Sequence, residues 1–309
     1  MFLAIDSGGS KTDIRVYKFN GEPVFQKKIR GFALAVDSEE PIPELETAIA
    51  DIVARYQIEA AAFNVGGKNV NQARATLERT LSNIPFSVFR ESDGTAALTI
   101  GKMNDSELVL LAGTGAIIVG HDPGTGRCIV AGGWGANISD EGSGYSIGLN
   151  ALRRSILAMD GTEALTPLTK AITGRETPLS AETDVSRIRD ARDKVRANFF
   201  PLERSHIASF AKITAEYCSE GDPLALELYS EAGAALGRLV IQAANKLGLK
   251  QIHGLTVTGG LVNARQYWQQ AMEDTVNAGL IVSNYHYMLD GLMTGTFEIA
   301  KKLIPQQEV

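Results

Sequence analysis

The 309-residue chain is poor in cysteine: Cys128 and Cys218 are its only two, far apart and without CxxC spacing. That argues against a disulfide framework, a zinc site, or an iron–sulfur cluster held by one chain, and makes a reducing cytoplasm the economical location. The four histidines, His121, His206, His253 and His286, are scattered without ligand spacing. No apolar run reaches the roughly 18 residues of a membrane span, and the N-terminus lacks a basic region followed by an apolar core. Basic residues are not in excess either. Lys and Arg number 30 against 36 Asp and Glu, and the net charge is −6. A nucleic-acid or anionic-membrane partner is therefore not expected. The GxxxxGK[ST] motif is absent, and no GxGxxG links a strand to a helix, which disfavours a P-loop enzyme and a dinucleotide-dependent dehydrogenase. No linker rich in Pro, Gly or Ser divides the chain.

What is present is a soluble globular composition, 44% hydrophobic and 21% charged, in a chain long enough for two domains. Leu3-Ala4-Ile5 reads as a buried strand that runs into "DSGGSKT", and the segment 12–18 reads as a second strand. Asn20-Gly21 signals a hairpin into a third, 23–29. Leu45, Ile49, Ile52, Val53 and Tyr56 fall at helical spacing. A strand at 60–65 ends in Gly66-Gly67, a polar helix follows around 69–81, and a short strand at 86–89 precedes Asp93. The opening pattern then recurs: strand 108–112, the turn Gly113-Thr114-Gly115, strand 116–120, a turn at 122–126, and strand 128–131. Helices are expected at 143–159, 207–219 and 223–247, with a weakly periodic helical insertion across 160–205. A strand at 255–257 ends in Gly259-Gly260, followed by a short strand near 281–282 and a last helix, 290–303. Strand, glycine turn, strand, hairpin, strand thus occurs twice. This predicts two related α/β domains whose glycine turns face a shared cleft. Their expected ranges are 1–112, joined by the last helix (290–306), and 113–289, with the helical insertion near 150–220.

A glycine turn after a strand lets backbone N–H groups converge on an anion with no Cβ in the way. Ser10 and Thr12 would add hydroxyl donors and Lys11 a charge, although a lysine in a hairpin can equally point to solvent. Asp6, at the strand end, would repel a phosphate unless a cation lay between them, and Mg²⁺ suits that place. Gly113-Thr114-Gly115 offers a second such turn. The bland reading of either turn is a tight hairpin; two at matching places of a repeat favour phosphate binding. Asp93, in "ESDGTAA", follows a strand and precedes a helix start. It is a candidate proton acceptor, or else simply a helix N-cap.

"DSGGSKT", "LLAGTG" and "TGGL" together resemble the nucleotide-binding stretches of the superfamily of sugar kinases, heat-shock ATPases and actin. "GGWGANISDEGSGYSIG", residues 132–148, is similar to a segment of N-acetylglucosamine kinase-like members of the BadF/BadG/BcrA/BcrD-type ATPase family. The likeness runs in order over nearly the whole chain. It implies two ribonuclease H-like domains with mixed sheets flanking a nucleotide-binding cleft, ATP and Mg²⁺ as cofactors, and a small-molecule sugar as partner, with a homodimer allowed. By the same resemblance Gly8, Gly9, Ser10, Lys11, Thr12, Gly113, Thr114 and Gly115 bind phosphates, and Gly259 and Gly260 lie near the nucleoside. Asp93 deprotonates the attacking sugar hydroxyl. Gly66, Gly67, Gly133, Trp134 and Asp140 contact the sugar, and Asp140 and Glu141 could also cap the helix that follows.

Two positions depart from the family pattern. Ser10 stands where relatives carry threonine, which keeps the hydroxyl. Ala35 stands where kinases acting on N-acetylglucosamine place an asparagine that holds the sugar. The resemblance therefore implies a kinase for a sugar or amino sugar, N-acetylglucosamine or a related hexosamine, without that one contact. Two other readings share the fold. One is an ATPase that activates a partner reductase or dehydratase, which would need cluster-binding cysteines. The other is a non-catalytic sugar sensor.

Overall fold

The computed structural model describes residues 1–8, 11–32, 41–67, 70–199 and 203–304. It divides into two compact units, one formed by Met1–Val109 with the segment from Asp290, the other by Leu110–Leu289.

The first unit opens with β1 (Phe2–Ser7), β2 (Lys11–Tyr17) and β3 (Pro23–Arg30). These form an antiparallel meander, because a glycine turn and the Asn20-Gly21 hairpin are each too short to allow any other connection. Then α1 (Pro43–Arg55) leads into β4 (Ala60–Val65), and α2 (Val70–Leu81) into β5 (Phe86–Arg90). β4 pairs parallel to β1, and β5 parallel to β4, giving the sheet order β3-β2-β1-β4-β5. β4 is buried along its whole length, as expected for a central strand covered on both faces. α3 (Thr95–Met103) follows β5.

Alternation along β1 sorts its side chains into two cores. Leu3 and Ile5 join Ile14, Val16, Leu45, Ile49 and Leu77 on the α1–α2 face. Phe2 and Ala4 join Tyr17, Ala62, Met293 and Phe297 on the other. Met293 and Phe297 belong to the last helix of the chain, which therefore completes the first unit.

The second unit repeats the plan. β6 (Leu108–Ala112), β7 (Ala116–His121) and β8 (Cys128–Gly132) open it. A helical stretch follows: α4 (Gly144–Asp160), α5 (Pro167–Thr173), α6 (Val185–Phe199), α7 (Arg204–Ser219) and α8 (Pro223–Leu247). β9 (Gln251–Thr258), α9 (Gln269–Asn277) and β10 (Ile281–Met288) close it, and α10 (Gly291–Lys302) returns to the first unit. The sheet order, β10-β9-β6-β7-β8, is that of the first sheet read from the other edge. The insertion expected between 160 and 205 holds two ordered helices, α5 and α6. α6 is where the expected insertion is weakly periodic, because charge covers most of its surface and its buried side is narrow, with Val195 and Phe199 turned to the core. β9 and β10 also run longer than their apolar cores, since a parallel ladder from Ile281↔Gln251 to Met288↔Thr258 recruits polar residues at both ends.

Candidate active site

In the first unit three adjacent parallel strands end on the same edge, and each end carries a residue of chemical interest. The C-terminal edge of a parallel sheet is where open α/β folds bind ligands, because strand ends there give way to loops and helix N-termini. β1 ends at Asp6-Ser7, β4 at Val65 before Gly66-Gly67, and β5 at Arg90 before Asp93.

Asp6 accepts a hydrogen bond from Asn64 Nδ2 at 2.8 Å, donated from the paired position on β4. Burial pushes its carboxyl up to about 6, against the opposing pull of the Asn64 bond and the Lys11 charge. Asn64 is fully buried, and its Oδ1 has no hydrogen-bond partner among the described residues. A carboxylate beside an orphaned amide oxygen is a hard-oxygen donor set that suits Mg²⁺ held through water. Among the described residues there is no cluster of three or more His, Cys, Asp or Glu able to hold a metal. One protein carboxylate, completed by water and substrate phosphates, is the arrangement Mg²⁺ tolerates best.

The turn after β1 is closed by Gly8 N–H donating to the Lys11 carbonyl at 2.9 Å. Lys11 is exposed. Thr12 differs from expectation. It is completely buried, and its Oγ1 lies 2.7 Å from Ser7 Oγ, so the hydroxyl supports the turn from beneath instead of meeting a ligand. The antiparallel pleat is the cause: Thr12 pairs with Ser7 and turns inward, while its neighbour Lys11 turns outward. Gly9, Ser10 and Ala35 lie outside the described residues.

Gly66 brings the β4 loop against this turn. Its N–H donates to the Ser7 carbonyl at 2.6 Å, and a Cβ there would stand 2.8 Å from that oxygen. Gly67 is exposed at φ +90°. Asp93 closes a short 3-10 turn, Glu91–Asp93. Its Oδ2 accepts from Arg90 N–H at a long 3.3 Å, the only hydrogen bond to this exposed carboxylate among the described residues. Gly94 then adopts φ +70° to launch α3.

In the second unit Gly113-Thr114-Gly115 links β6 to β7, half-exposed, and is tied to the start of α4. Gly144 N–H donates to the Gly113 carbonyl (2.8 Å), and Tyr145 N–H to that of Thr114 (3.1 Å). Gly259 approaches the same place: at φ +113°, its Cβ would lie 2.5 Å from the Ala112 carbonyl oxygen. Gly260, beside it, faces open space.

The segment 132–141 departs from expectation in two ways. Neither Asp140 nor Glu141 caps α4; Ser143 does, its Oγ accepting from Ser146 N–H at 3.2 Å. Nor is Asp140 open to a ligand. At φ +76° it folds back so that Oδ1 accepts from Ala116 N–H (3.2 Å) and Oδ2 from Arg204 Nη2 (2.9 Å), which leaves its side chain 1% exposed. Trp134, by contrast, is 76% exposed, held out by Gly133 at φ +70° and Gly135 at φ +99°. With Ile138, Glu141, Arg238, Gln242 and Lys246 it lines a cavity of about 450 Å³.

Sequence reasoning missed Asn64 and Arg204. Asn64 carried a signal, a lone amide in the apolar run "AAAFNV"; Arg204 carried none.

Both units therefore present glycine-gated turns at the ends of their central strands, in the two-domain α/β layout of sugar kinases and actin-like ATPases. Residues 3–291 match the BadF/BadG/BcrA/BcrD ATPase family, and the chain belongs to it. It is similar to the N-acetylmuramic acid/N-acetylglucosamine kinase of Clostridium acetobutylicum, with 22% identity over 86% of each chain. A glucosamine kinase of Vibrio cholerae is 24% identical over 86% of this chain and 87% of that one. Among solved structures, a ROK family glucokinase from Streptomyces griseus, in complex with glucose and AMPPNP, shares the fold at a TM-score of 0.61. It is 14% identical, with 97% of this chain and 99% of that one covered. A ROK family transcriptional regulator reaches the same TM-score of 0.61 at 14% identity, with 98% and 78% covered. The fold alone thus serves catalysis and regulation, so activity must be argued from the site. Among the described residues no helix is long and apolar enough to cross a membrane.

Proposed function

We propose that the chain is an ATP-dependent sugar kinase, transferring the terminal phosphoryl group of ATP to a hydroxyl of a hexosamine such as N-acetylglucosamine. The observation that carries this reading is the pairing of Asp6 and Asp93 at the ends of parallel strands on one edge of the first sheet. One carboxylate is part-buried and amide-supported; the other is exposed, with a single long hydrogen bond from the Arg90 amide among the described residues. A sensor needs neither, and phosphoryl transfer needs both. The kinase activities of the relatives named above support the acceptor class.

In the reaction, the sugar hydroxyl attacks the terminal phosphorus as the bond from that phosphorus to the bridging oxygen of ADP breaks. Asp93 takes the hydroxyl proton. Its link to the Arg90 amide holds the carboxylate in place while leaving lone pairs for the sugar. Thr114 and Gly115 would offer backbone and hydroxyl donors to the phosphates, joined through the family resemblance by Gly9 and Ser10, while the Gly8 and Gly113 amides close the two turns and Lys11 adds positive charge. Gly260 leaves room for the nucleoside, and Gly259 beside it packs against the Ala112 backbone. Asp6, supported by Asn64, would hold Mg²⁺ through water. When bound, that ion supplies neutralisation of phosphate charge. Trp134 presents an exposed indole face suited to the apolar face of a pyranose. Gly66, Gly67 and Gly133 let backbone approach the acceptor.

The test is a panel of acceptors assayed for ADP release: N-acetylglucosamine, glucosamine, N-acetylmuramate, glucose and sugar acids. ADP release dependent on an amino sugar, with a phosphosugar product of matching mass, is expected. No acceptor-dependent release across the panel would overturn the kinase reading.

A further inference from the structure

Arg204 lies at the first position of α7, sixty-four positions from Asp140. Its delivery to the Gly113–Gly115 turn depends on how tightly α4 and α7 pack. Gly148 on α4 sits so close to α7 that a Cβ there would lie 1.9 Å from the Ile207 carbonyl oxygen. Gly144, one turn earlier, would place its Cβ 3.1 Å from the Gly113 carbonyl and 3.8 Å from that of Ala208. Two glycines one helical turn apart therefore let the start of α7 reach the turn. The guanidinium arrives against its backbone: a Cβ on Gly115 would be 2.6 Å from Arg204 Nη2 and 3.0 Å from both Asp140 oxygens.

The electrostatics of this contact are specific. A buried carboxylate beside a phosphate-binding turn would repel the nucleotide. Here one Asp140 oxygen is taken by Ala116 N–H and the other by Arg204 Nη2. The Arg204 side chain remains 51% exposed, so its other donors are accessible. A guanidinium presents its N–H groups in a fixed fork, and holding one arm sets the direction of the rest. Asp140 is thus compensated by Arg204 and the Ala116 amide, and in return it aims the guanidinium at the place where the turn would meet an anion.

We propose that Arg204 is a ligand of the nucleotide phosphates, oriented by Asp140 against the Gly113–Gly115 turn. This rests on the reading that the turn binds phosphate. Arg204 would add charge-assisted hydrogen bonds that the nucleoside part of the ligand does not feel.

Calorimetric titration of the full chain with ATP and, separately, with adenosine tests it. R204Q should weaken ATP binding about 10–100-fold, the worth of hydrogen bonds to a charged group, and leave adenosine binding unchanged. R204K, which keeps the charge without the fork, should fall between wild type and R204Q for ATP. It also decides the matter if R204Q fails to fold. Unchanged ATP affinity in the variants, or equal losses for ATP and adenosine, would overturn the assignment. The second pattern would make Arg204 a purely structural clamp. Failure of the wild-type protein to bind ATP at all would instead overturn the kinase reading beneath it.

Discussion

Asp6 and Asp13 stand opposite one another across the β1–β2 ladder, and their surroundings drive the two carboxyl groups in opposite directions. Burial raises Asp6 to about 6. Burial acts on Asp13 too, but Arg15, at 2.8 Å, and the Gln26 amide outweigh it and hold that carboxyl below its ordinary range. Arg15 also reaches Asp290 at 2.9 Å, tying β2 to the start of α10. One pair of facing aspartates thus divides the work. Asp13 holds the arginine that reaches the start of a helix, while Asp6 carries a charge the fold compensates only in part.

The first prediction concerns that partly compensated charge. A carboxyl raised from 3.8 to about 6 binds more protons folded than unfolded across that interval, so its ionisation costs stability as pH rises through it. Asp6→Asn in chelator-treated protein should therefore match wild type near pH 4 and melt higher than wild type at pH 7. The same variant should lose turnover, on the order of 10²-fold, if the carboxylate helps to neutralise phosphate. Melting curves at both pH values, together with ADP release, check this. A variant that melts lower and turns over normally would show Asp6 to be structural.

The second follows from Asp13. A depressed carboxyl contributes stability above its unfolded value and loses it as pH falls through the folded one. Asp13→Asn should flatten the acid limb of the stability curve. It should also cost about 3 kcal/mol at neutral pH, because Arg15, nearly buried, loses its closest partner. Asp290→Asn should cost much less, since Asp290 is exposed. Denaturant unfolding of the two variants at pH 7 and pH 3 distinguishes them.

A third prediction tests the packing that carries Arg204. In Gly148→Ala the new methyl meets backbone, not the end of a flexible side chain. α7 must shift, at the upper end of the about 1–3 kcal/mol typical of overpacking or beyond it. Melting temperature should fall, and ATP affinity should fall with it as the start of α7 retreats from the turn. Gly174→Ala is the control for adding a methyl elsewhere: the site is open, and only the strain of φ +68° is felt. Its ATP affinity should be that of wild type.

These variants also mark how far the sequence could be read. The duplicated strands, the glycine turns and the helix at 223–247 were legible because hydrophobic period and turn chemistry are local. The Asp140–Arg204 contact was not, because nothing in either segment's composition states which residues sixty-four positions apart will touch. Ser143 displaced Asp140 as the cap of α4 for a reason that depends on backbone angles: Asp140 adopts positive φ and turns its carboxylate inward. A hydroxyl beside glycines suggests an anion site, but at Thr12 the pleat, which fixes inward and outward faces, turns it to the core. Trp134 could be read as core or as surface, and glycines on both sides of it favoured the second.

The last prediction isolates the chemical step. Asp93 is exposed, and its only described hydrogen bond is a long one from the Arg90 amide, so Asn at this position keeps the size and the acceptor oxygen that closes the 3-10 turn. Asp93→Asn should therefore fold and melt close to wild type. ATP affinity should change little, because a group that takes the proton acts mainly as the hydroxyl attacks. Turnover at saturating sugar should fall about 10²–10⁴-fold, the usual worth of a general base. Asp93→Ala separates the two roles further: it also removes the acceptor for the Arg90 amide, so it should lose stability as well as turnover. Steady-state ADP release, ATP titration and melting curves on the three proteins give the pattern. Near-normal turnover in Asp93→Asn, with destabilisation in Asp93→Ala, would make Asp93 a turn cap, and the proton acceptor would have to be sought elsewhere.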